Sequence, residues 1–365
     1  MESTVLHQRW QCQRQTNLIT PFVLHPLSPP HLALAFFIVT FQFSFLPQGK
    51  YVVNELGRQG NTIFLPCRGD DMEWRHLKLM GDLGKIHVHY FDPKVKESVA
   101  EAMQHSDVVV NCIGKRYETK FLLPFLKNYS YYDVNVKVAE TIAECAADAG
   151  IEKFVHVSAL AADENSNSEW ARTKAIGEKR VKDIVPTATI VRPSQLFGTE
   201  DHWLNTIAWL TRTRWPGLKP FVVSGGQQKV QPLWANDAGR AIANAALMTG
   251  TQGKTYSLAG PKVYTMQEIT EYVLETLETD VEYRDLPAPI AEIMTLPFEG
   301  LYNPKLVQDM VRLSQSDNVL STAPNGTLTI DDLGVKPVEM EKEAYNYLLR
   351  YRKGGRFEHN TVDNL

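Results

Sequence analysis

The sequence predicts an α/β fold: a Rossmann-type, doubly wound parallel sheet with a smaller α/β C-terminal lobe. Short apolar and β-branched segments, such as residues 62–68 (TIFLPCR) and 107–113 (DVVVNCI), recur along the chain as buried parallel strands do. Segments with apolar residues at helical spacing separate them. Strands that alternate with helices form a parallel sheet covered on both faces, and right-handed crossovers make that sheet doubly wound.

The elements follow one another in a regular order from residue 51 onward. Residues 51–59 place Val52, Val53 and Leu56 at the spacing of a short amphipathic helix. A Gly-Asn turn then leads into the strand at 62–68. The remaining predicted elements are strands at 86–91, 107–113, 153–158 and 189–192, and helices at 95–104, 134–149, 169–184 and 338–351.

The pattern changes to shorter strands and helices after about Gly253. We therefore divide the chain into a Rossmann-type NAD(P)-binding domain over residues 49–252 and a C-terminal lobe and tail over residues 253–365. Within the lobe, Thr265 is expected to cap a helix, because Glu268 three residues later completes a capping box.

Residues 1–48 differ in composition from the rest of the chain. They carry Arg9 and Arg14 but only one acid, Glu2, followed by an apolar run from Leu32 to Leu46. One interpretation is an arginine-bearing targeting segment. A second is a membrane span, although the run is shorter than the roughly 20 residues that a span needs. A third is a gene-model artefact, because residues with pyrimidine-rich codons (Phe, Ser, Leu, Pro) dominate its end.

Residues 121–127 (FLLPFLK) have the same composition and interrupt a pattern that otherwise runs from Lys120 into Asn128. We expect this insert to form a surface loop, since loop extensions cost little free energy. Within the first 48 residues, the segment from Ile38 to Gln42 is apolar and β-prone. We expect it to occupy the place of the first strand of the sheet.

The composition argues against two classes of site. A net charge of −4 at pH 7 does not favour general nucleic-acid binding, which needs a basic face. The cysteines are scattered without a C-x-x-C pair, so neither a disulfide framework nor a metal site is predicted. We expect buried or free thiols in a reducing compartment for all four, which are Cys12, Cys67, Cys112 and Cys145.

The turn before the helix at 51–59 is where a domain of this type carries Gly-x-x-Gly-x-x-Gly. Glycines there let a pyrophosphate approach the backbone at a helix N-terminus. Only the last one, Gly49, is in place, and Leu46 and Phe43 stand at the earlier positions. Their side chains are expected to crowd the pyrophosphate and weaken cofactor binding. The alternative interpretation of Gly49 is an ordinary turn glycine.

Two side chains at strand ends indicate which dinucleotide is bound. Arg68 follows the second predicted strand, where an arginine favours the 2'-phosphate of NADP over the 2'-hydroxyl of NAD. Asp92 follows the third strand, where an acid reaches the adenine amino group. The alternatives are an exposed arginine at a strand end and a helix N-cap before Lys94.

The end of the strand at 107–113 supplies three further candidates for the cofactor site. Gly114 would let the ribose of a cofactor lie against the backbone, and the alternative is a simple turn glycine. Asn111 and Ile113 precede it. Pro193, which closes the strand at 189–192, completes the candidate set.

Short-chain dehydrogenase chemistry uses a serine that orients the substrate, a tyrosine that transfers the proton, and a lysine that lowers the pKa of the tyrosine and holds the ribose. Ser158 sits at a strand end and Lys174 on the next helix, but Trp170 stands four residues before the lysine, where the tyrosine belongs. An indole N–H does not act as an acid at neutral pH. We predict that no catalytic residue remains and that Lys174 still binds a ribose. The alternative is a surface lysine.

Several segments resemble one family: the Rossmann-like accessory subunits of mitochondrial respiratory complex I (NADH:ubiquinone oxidoreductase) of the alpha subcomplex subunit 9 type. These are atypical extended short-chain dehydrogenase relatives. The resemblance covers about residues 49–352. Its most specific segments are RYETK, RPSQLFGTEDHWLN and DLGVKP.

The resemblance implies a non-catalytic subunit on the matrix side of the mitochondrial inner membrane, at the junction of the peripheral and membrane arms near the quinone site. It implies other complex I subunits as partners, peripheral contact with inner-membrane lipid, and no nucleic acid. It also implies that the subunit holds one structural NADPH and supports assembly and stability of the peripheral arm. On this match Gly49, Arg68, Asp92 and Lys174 are the third loop glycine, the 2'-phosphate arginine, the adenine-side acid and the ribose lysine.

The chain departs from that family in three places. Residues 1–48 replace the first strand and two glycines, residues 121–127 form an insert, and Trp170 stands where several relatives have tyrosine. The first departure weakens the expected NADPH site, and the third leaves a non-catalytic role intact. Two alternatives remain open: an active NADP-dependent extended short-chain dehydrogenase, reductase or epimerase, and a free NADPH-sensing regulator.

Overall fold

A computed structural model of the chain describes residues 36–40, 48–68, 71–104, 106–120, 127–213, 218–299, 301, 304–320 and 328–352. The segments 1–35, 41–47 and 121–126, and with them Phe43 and Leu46, lie outside the described residues. The interpretations offered for them therefore stay predictions.

Seven strands form one sheet in which all neighbouring strands run parallel, and this confirms the predicted fold class. The order across the sheet is β7-β6-β5-β4-β1-β2-β3. The order reverses between β1 and β4, which is the switch point at which such folds bind ligands. The strands are β1 Phe36–Thr40, β2 Thr62–Cys67, β3 Ile86–Tyr90, β4 Val108–Asn111, β5 Lys153–Val157, β6 Thr189–Pro193 and β7 Thr255–Leu258.

Strand β1 occupies the place that the sequence predicted for it. Phe37 pairs with Ile63 of β2 on one side and with Val108 of β4 on the other. The residues before Gly49 thus supply the central strand of the sheet even though they lack the glycine signature. The sequence did not predict β7, which extends the sheet beyond residue 252. The domain limits remain a prediction.

Helices cover both faces of the sheet and build the C-terminal lobe. They are α1 Gln48–Arg58, α2 Lys96–Met103, α3 Val138–Asp148, α4 Glu169–Ile184, α5 Leu204–Arg212, α6 Ala235–Leu247, α7 Met266–Thr276, α8 Ala288–Thr295, α9 Gln308–Leu313 and α10 Met340–Leu348. Shorter helical turns lie at Asp71–Trp74, Arg75–Met80, Ser224–Gly226, Leu296–Phe298, Asp331–Leu333 and Leu349–Tyr351.

Alternate residues of each strand serve the two layers, as the pleat requires. In β4, Val108 and Val110 belong to the core under α1 and α6, whereas Val109 belongs to the core under α2, α3 and α4. This explains why the strand segments are apolar without interruption: both faces are buried.

The predicted C-terminal lobe contributes α7 and α10 to a further core cluster, which also includes α5 from before residue 253. Its best local prediction is confirmed, because the Thr265 hydroxyl accepts from the Glu268 N–H and the Glu268 carboxylate accepts from the Thr265 N–H. The predicted helix at 338–351 starts at Met340 and ends as a 3₁₀ turn. Paired short strands outside the main sheet are Thr119–Lys120 with Lys127–Tyr129, Leu196–Phe197 with Leu233–Trp234, Phe221–Val223 with Arg284–Leu286, and Lys229–Val230 with Tyr264–Thr265.

The helix predicted at 134–149 differs from expectation in its first turn. Asp133–Lys137 is π-helical, and α3 follows it. The wide turn presents the Asn135 carbonyl to α4 at Gly177, where a Cβ would lie only 2.1 Å from that oxygen. Only glycine allows the two segments to pack this closely, so Gly177 fixes the position of the helix that carries Lys174.

Helix α1 is held against α6 by an equally close approach. A Cβ on Gly239 of α6 would lie 2.5 Å from the Tyr51 Cβ and 2.9 Å from the Tyr51 carbonyl carbon. The two helices therefore touch along their backbones. This contact fixes the start of α1, the helix end that a cofactor pyrophosphate approaches in this fold.

We predict that Gly239→Ala lowers the free energy of unfolding by about 1–3 kcal/mol, because the added methyl group forces α1 away from α6. In an ordinary helix the same change would stabilise by up to about 1 kcal/mol. Urea denaturation of the purified protein measures the difference. Asn236→Ala in the first turn of α6 is the matched control and should leave stability nearly unchanged. Equal stability of Gly239→Ala and the parent chain would contradict the packing argument.

Candidate functional site

Three cations meet around one tyrosine ring at the carboxyl end of the sheet. Arg68 follows β2, Lys94 follows β3 and Lys115 follows β4. The Arg68 guanidinium carbon lies 4.7 Å from the Tyr129 ring centroid, and the amines of Lys94 and Lys115 lie 4.0 and 5.5 Å from it. Arg68 also donates a hydrogen bond to the Tyr129 hydroxyl. We call these four residues the cation cluster.

The cation cluster carries an electrostatic cost that shows in one lysine. Burial, and then the neighbouring charges of Arg68 and Lys94, lower the pKa of Lys115 to about 8, although Glu118 acts in the opposite direction. Like charges gathered in a partly buried site disfavour protonation of the amine. A bound anion would remove this penalty.

Asp92 stabilises the turn that brings Lys94 to the cluster. Its carboxylate accepts a hydrogen bond of 3.1 Å from the Lys94 N–H, and its own N–H donates to the Ser98 hydroxyl. The alternative of a helix N-cap at Asp92 is wrong, because Val95 holds the N-cap position of α2. Contact between Asp92 and an adenine remains a prediction.

The end of β4 is fixed by an internal hydrogen-bond network. The Asn111 side-chain amide contacts the His156 Nδ1 at 3.3 Å, while its oxygen accepts from the Ile113 N–H at 3.0 Å. His156 is buried, and burial lowers its pKa to about 3, so the ring is neutral. Both ends of the Asn111 amide are used within the protein. Asn111 therefore shapes the strand end that carries Ile113 and the buried Gly114.

Lys174 joins the ends of two strands. Its amine lies 3.4 Å from both the Ile113 carbonyl and the Val157 carbonyl. The residue is 2% exposed, so it is not the surface lysine of the alternative interpretation. Burial lowers the pKa of Lys174 to about 8. The structure thus places Lys174 beside the predicted residues Ile113 and Ser158.

Ser158 is held by its backbone and not by its hydroxyl. Its N–H donates to the Val191 carbonyl at 2.8 Å. The hydroxyl is buried and has no hydrogen-bond partner among the described residues. A buried hydroxyl without a partner costs free energy, so a ligand that supplied one would be stabilised there.

A cavity of about 300 Å³ lies beside these groups. Ser158, Trp170, Lys174 and Pro193 all line it, together with residues of α5, α9 and the strand Phe221–Val223. No tyrosine lines it in the part of the chain that the structure describes. Tyr131 is buried outside this lining, and its hydroxyl donates a hydrogen bond to the Arg116 carbonyl.

Gly49 lies apart from these contacts, at the second position of α1, where it is buried. The next residue, Lys50, forms an ion pair with Glu200. The structure therefore brings Ile113, Ser158, Lys174 and Pro193 to one edge, Arg68 and Asp92 to the ends of β2 and β3, and Gly49 to the start of α1.

The sequence analysis missed Lys94, Lys115 and Tyr129 as members of the site. A signal was available for the two lysines, since each follows a predicted strand within a few residues, as Arg68 does. Tyr129 gave none, because it reaches the cluster through the short pairing of residues 119–120 with 127–129.

Three further observations concern the cysteines, the metal-ligating side chains and the membrane-spanning helices. Cys67, Cys112 and Cys145 are free and buried, as predicted, while Cys12 lies outside the described residues. Among the residues that the structure covers, no cluster of metal-ligating side chains is present. Within the same residues no helix has the length and apolar character to cross a membrane.

Comparison with known proteins gives the chain its relatives. A family model described as the NAD dependent epimerase/dehydratase family matches residues 48–259. The chain is 37% identical over 309 residues to the NADH dehydrogenase (ubiquinone) 1 alpha subcomplex subunit 9 of Rattus norvegicus, covering 83% of this chain and 78% of the relative. It is 36% identical over 315 residues to the NADH-ubiquinone oxidoreductase 40 kDa subunit of Neurospora crassa, covering 85% and 78%.

Solved structures share the fold at low identity. An NADPH-dependent quinone oxidoreductase from Escherichia coli, complexed with NADPH, superimposes with a TM-score of 0.63 at 17% identity, covering 85% of this chain and 99% of that chain. A dTDP-glucose 4,6-dehydratase from Streptomyces venezuelae, with NAD bound, gives a TM-score of 0.59 at 17% identity, covering 86% and 96%. This likeness concerns the fold alone.

We predict that buried Lys174 makes stability depend on pH. Its folded-state pKa is lowered from 10.5 to about 8, so the unfolded chain binds the proton more tightly between these values. The free energy of unfolding therefore rises with pH across that window, by on the order of 3 kcal/mol from this residue. Lys174→Met should remove that part of the rise in urea denaturation measured from pH 7 to pH 10.

The exposed Lys336→Met is the control, and its pH dependence should match that of the parent chain. Identical pH dependence in Lys174→Met and the parent would mean that the lysine is not desolvated as the structure indicates.

Proposed function

The chain belongs to the NAD dependent epimerase/dehydratase family and, within it, to the alpha subcomplex subunit 9 type of mitochondrial NADH dehydrogenase subunits, and from this premise we propose that it is a non-catalytic accessory subunit of respiratory complex I that holds one NADPH as a structural element. Its relatives are named as subunits of that complex. The proposal adds the cofactor, its structural role and the absence of chemistry.

The cation cluster is the observation that carries the choice of NADPH. Arg68, Lys94 and Lys115 converge at the ends of β2, β3 and β4, where the adenosine end of a dinucleotide lies in this fold. The 2'-phosphate of NADPH is the anion that suits this place. A 2'-hydroxyl carries no charge to offset the mutual repulsion of these cations, which contributes to the lowered pKa of Lys115.

The nicotinamide end would lie near the residues that the structure brings to the ends of β4 and β5. Lys174 would donate to the ribose, with the Ser158 hydroxyl close to the ring. NADPH, when bound, supplies a hydride. Phe43 and Leu46 stand at the sequence positions of the first two loop glycines, and their side chains are expected to weaken binding of the pyrophosphate. Gly49 and the start of α1 would receive the pyrophosphate.

The lack of a proton donor supports a non-catalytic role. Trp170 lines the cavity at the position that a catalytic tyrosine takes in short-chain dehydrogenases, and no described tyrosine replaces it there. His202 also lines the cavity. Burial, and then the cations Arg116 and Lys305, lower its pKa to about 4, so the ring is neutral at pH 7 and does not act as the acid.

We place the subunit on the matrix side of the inner membrane, at the junction of the peripheral and membrane arms near the quinone site. Its partners there would be other complex I subunits, with peripheral contact to inner-membrane lipid, and its role would be assembly and stability of the peripheral arm. This placement rests on the family resemblance and on the names of the relatives.

The second candidate is an active NADP-dependent reductase of the extended short-chain class. Two observations favour it: the lysine and the serine of that chemistry remain at the cavity, and the cavity itself is intact. Turnover with a substrate separates the two candidates.

We predict that Arg68 and Lys94 set the preference for NADPH over NADH. In a chain with Phe43→Gly and Leu46→Gly, which restore the loop, NADPH should bind about ten- to a hundred-fold more tightly, since a charge-assisted hydrogen bond contributes roughly 1.5–3 kcal/mol. Arg68→Ala or Lys94→Ala should weaken NADPH and leave NADH unchanged in calorimetric titration.

Lys78→Ala is the matched control, because Lys78 also lies over an aromatic ring, 4.8 Å from that of Trp74, but outside the cluster. Equal affinities for the two cofactors, unchanged in Arg68→Ala, would rule out this assignment.

We predict that the purified protein does not turn over NADPH with carbonyl or sugar-nucleotide substrates, because Trp170 provides no transferable proton. The measurement is NADPH absorbance over a panel of such substrates. Trp170→Tyr returns the phenol to its place four residues before Lys174 and is the informative variant. Steady turnover by the parent chain, abolished in Lys174→Ala, would establish the reductase instead.

The experiment that tests the whole proposal is co-migration. A tagged chain should run with the large respiratory complex on native gels of mitochondria. The Arg68→Ala, Lys94→Ala double variant should reach the complex in lower amount if NADPH supports assembly, whereas Lys78→Ala should not. A chain that runs only by itself, apart from the complex, would instead be the free NADPH-sensing regulator.

A further inference from the structure

The cavity beside Ser158 has walls suited to an apolar chain. On α5, Ile207 and Leu210 face it one turn apart, and Met310 and Val311 of α9 line it as well. Polar side chains, among them Asp201, Gln228 and Asn318, line the cavity as well, and these apolar contacts are those between α5 and α9. An aliphatic chain in the same place gains the free energy of leaving water.

Two cations at the same cavity lack a counter-charge. The Arg116 guanidinium donates to the Pro304 carbonyl at 2.6 Å and to the Lys305 carbonyl at 3.5 Å, and its Nε is buried without a partner. The Lys305 amine lies 4.7 Å from the ring centroid of Trp209. Neither cation forms an ion pair with a carboxylate within the described part of the chain. Lys305 is exposed, whereas Arg116 is half-buried and holds its charge without a carboxylate partner among the described residues, an arrangement that favours an anion there.

The positive charge of these two cations also affects the pKa of a neighbouring side chain. Arg116 and Lys305 both contribute to lowering the pKa of His202, after burial, and burial lowers the pKa of Lys305 itself. Lys115 of the cation cluster also lines the cavity. The carboxylate Asp201 also lines the cavity, but its oxygens accept from the Tyr347 hydroxyl and from backbone N–H groups, and the cations outnumber it. A ligand headgroup of negative charge would balance the remaining positive charge.

Ser158 adds an independent sign of a ligand. The residue is 3% exposed, its hydroxyl has no partner among the described residues, and it lines the cavity. A hydroxyl in this state donates readily to a carboxylate or phosphate oxygen and accepts from a hydroxyl.

We propose that this cavity binds a single-chain anionic amphiphile, with its carboxylate or phosphate head on Arg116 and Lys305 and its aliphatic tail between α5 and α9. The volume of about 300 Å³ holds about ten water-sized groups, which corresponds to a medium-length acyl chain. A free fatty acid and a lipid phosphate present the same chemistry. The inference goes beyond the proposed function and does not require NADPH.

The test is calorimetric titration of the full chain, with and without NADPH, using three probes below their micelle concentrations. Decanoate carries both head and tail, decanol has the same tail without charge, and butyrate has the head with almost no tail. We expect one decanoate per chain, with decanol at least tenfold weaker. Butyrate should bind more weakly than decanoate, by about fourfold for each missing methylene. Decyl phosphate, compared with decanoate, identifies which headgroup the site prefers.

Variants separate the head from the tail. Lys305→Met and Arg116→Met should each weaken decanoate by about ten- to a hundred-fold and leave decanol unchanged. Leu210→Trp fills the tail space and should weaken both. The controls are Lys336→Met, an exposed lysine, and Ile293→Trp, an exposed residue of α8. Thermal melts accompany each variant, and Lys305→Met serves if Arg116→Met does not fold.

Equal binding of decanoate and decanol, or decanoate affinity unchanged in Lys305→Met, would overturn the headgroup assignment. No binding of either probe, or binding insensitive to Leu210→Trp, would overturn the cavity as the site. The titration without NADPH gives each of these outcomes independently of the cofactor and of assembly into the complex, so failure here is distinct from failure of the proposed function.

Discussion

Strand β1 is the constraint on which the rest of the structure depends. Among the strands in the described residues it alone joins β2 and β3 to β4–β7, because it pairs with β2 on one side and β4 on the other. Without it the facing backbone groups of β2 and β4 would be buried without hydrogen-bond partners. The cation cluster depends on the same strand, since Arg68 and Lys94 come from one part of the sheet and Lys115 from the other. Spacing across β1 therefore sets the distances at which the three cations meet around Tyr129.

Several buried groups in this protein cost free energy in the folded state. Lys115 and Lys174 both have pKa values lowered to about 8, and the buried Ser158 hydroxyl has no hydrogen-bond partner in the described parts of the chain. A fold that retains such groups at one edge is destabilised there until an anion or a hydrogen-bond acceptor arrives. Ligand binding to the folded state alone then raises stability by mass action. A cofactor that is held and not consumed fits this energetic pattern, because its contribution lies in completing the structure.

Much of the sheet could be predicted because its signal is local. The apolar, β-branched residues of β4 and the capping box at Thr265 act within a few positions, and the structure has both. The cavity and the cation cluster were harder, because they depend on contacts between distant parts of the chain. Arg116 donates to the Pro304 carbonyl across 188 positions of the chain, and the periodicity of apolar residues does not predict such a contact. The π-helical turn at Asp133–Lys137 was missed for a similar reason, since it accommodates Gly177 of another helix.

The two candidate sites are connected through consecutive residues. Lys115 belongs to the cation cluster and lines the cavity, and Arg116, the next residue, also lines the cavity and donates to the Pro304 and Lys305 carbonyls. Both lie shortly after the end of β4 at Asn111. A negative charge at either site acts on the same short segment, raising the pKa of Lys115 and easing the burial of Arg116. Occupation of one site thus lowers the electrostatic cost of keeping the other formed, since part of that cost is the mutual repulsion of the same cations.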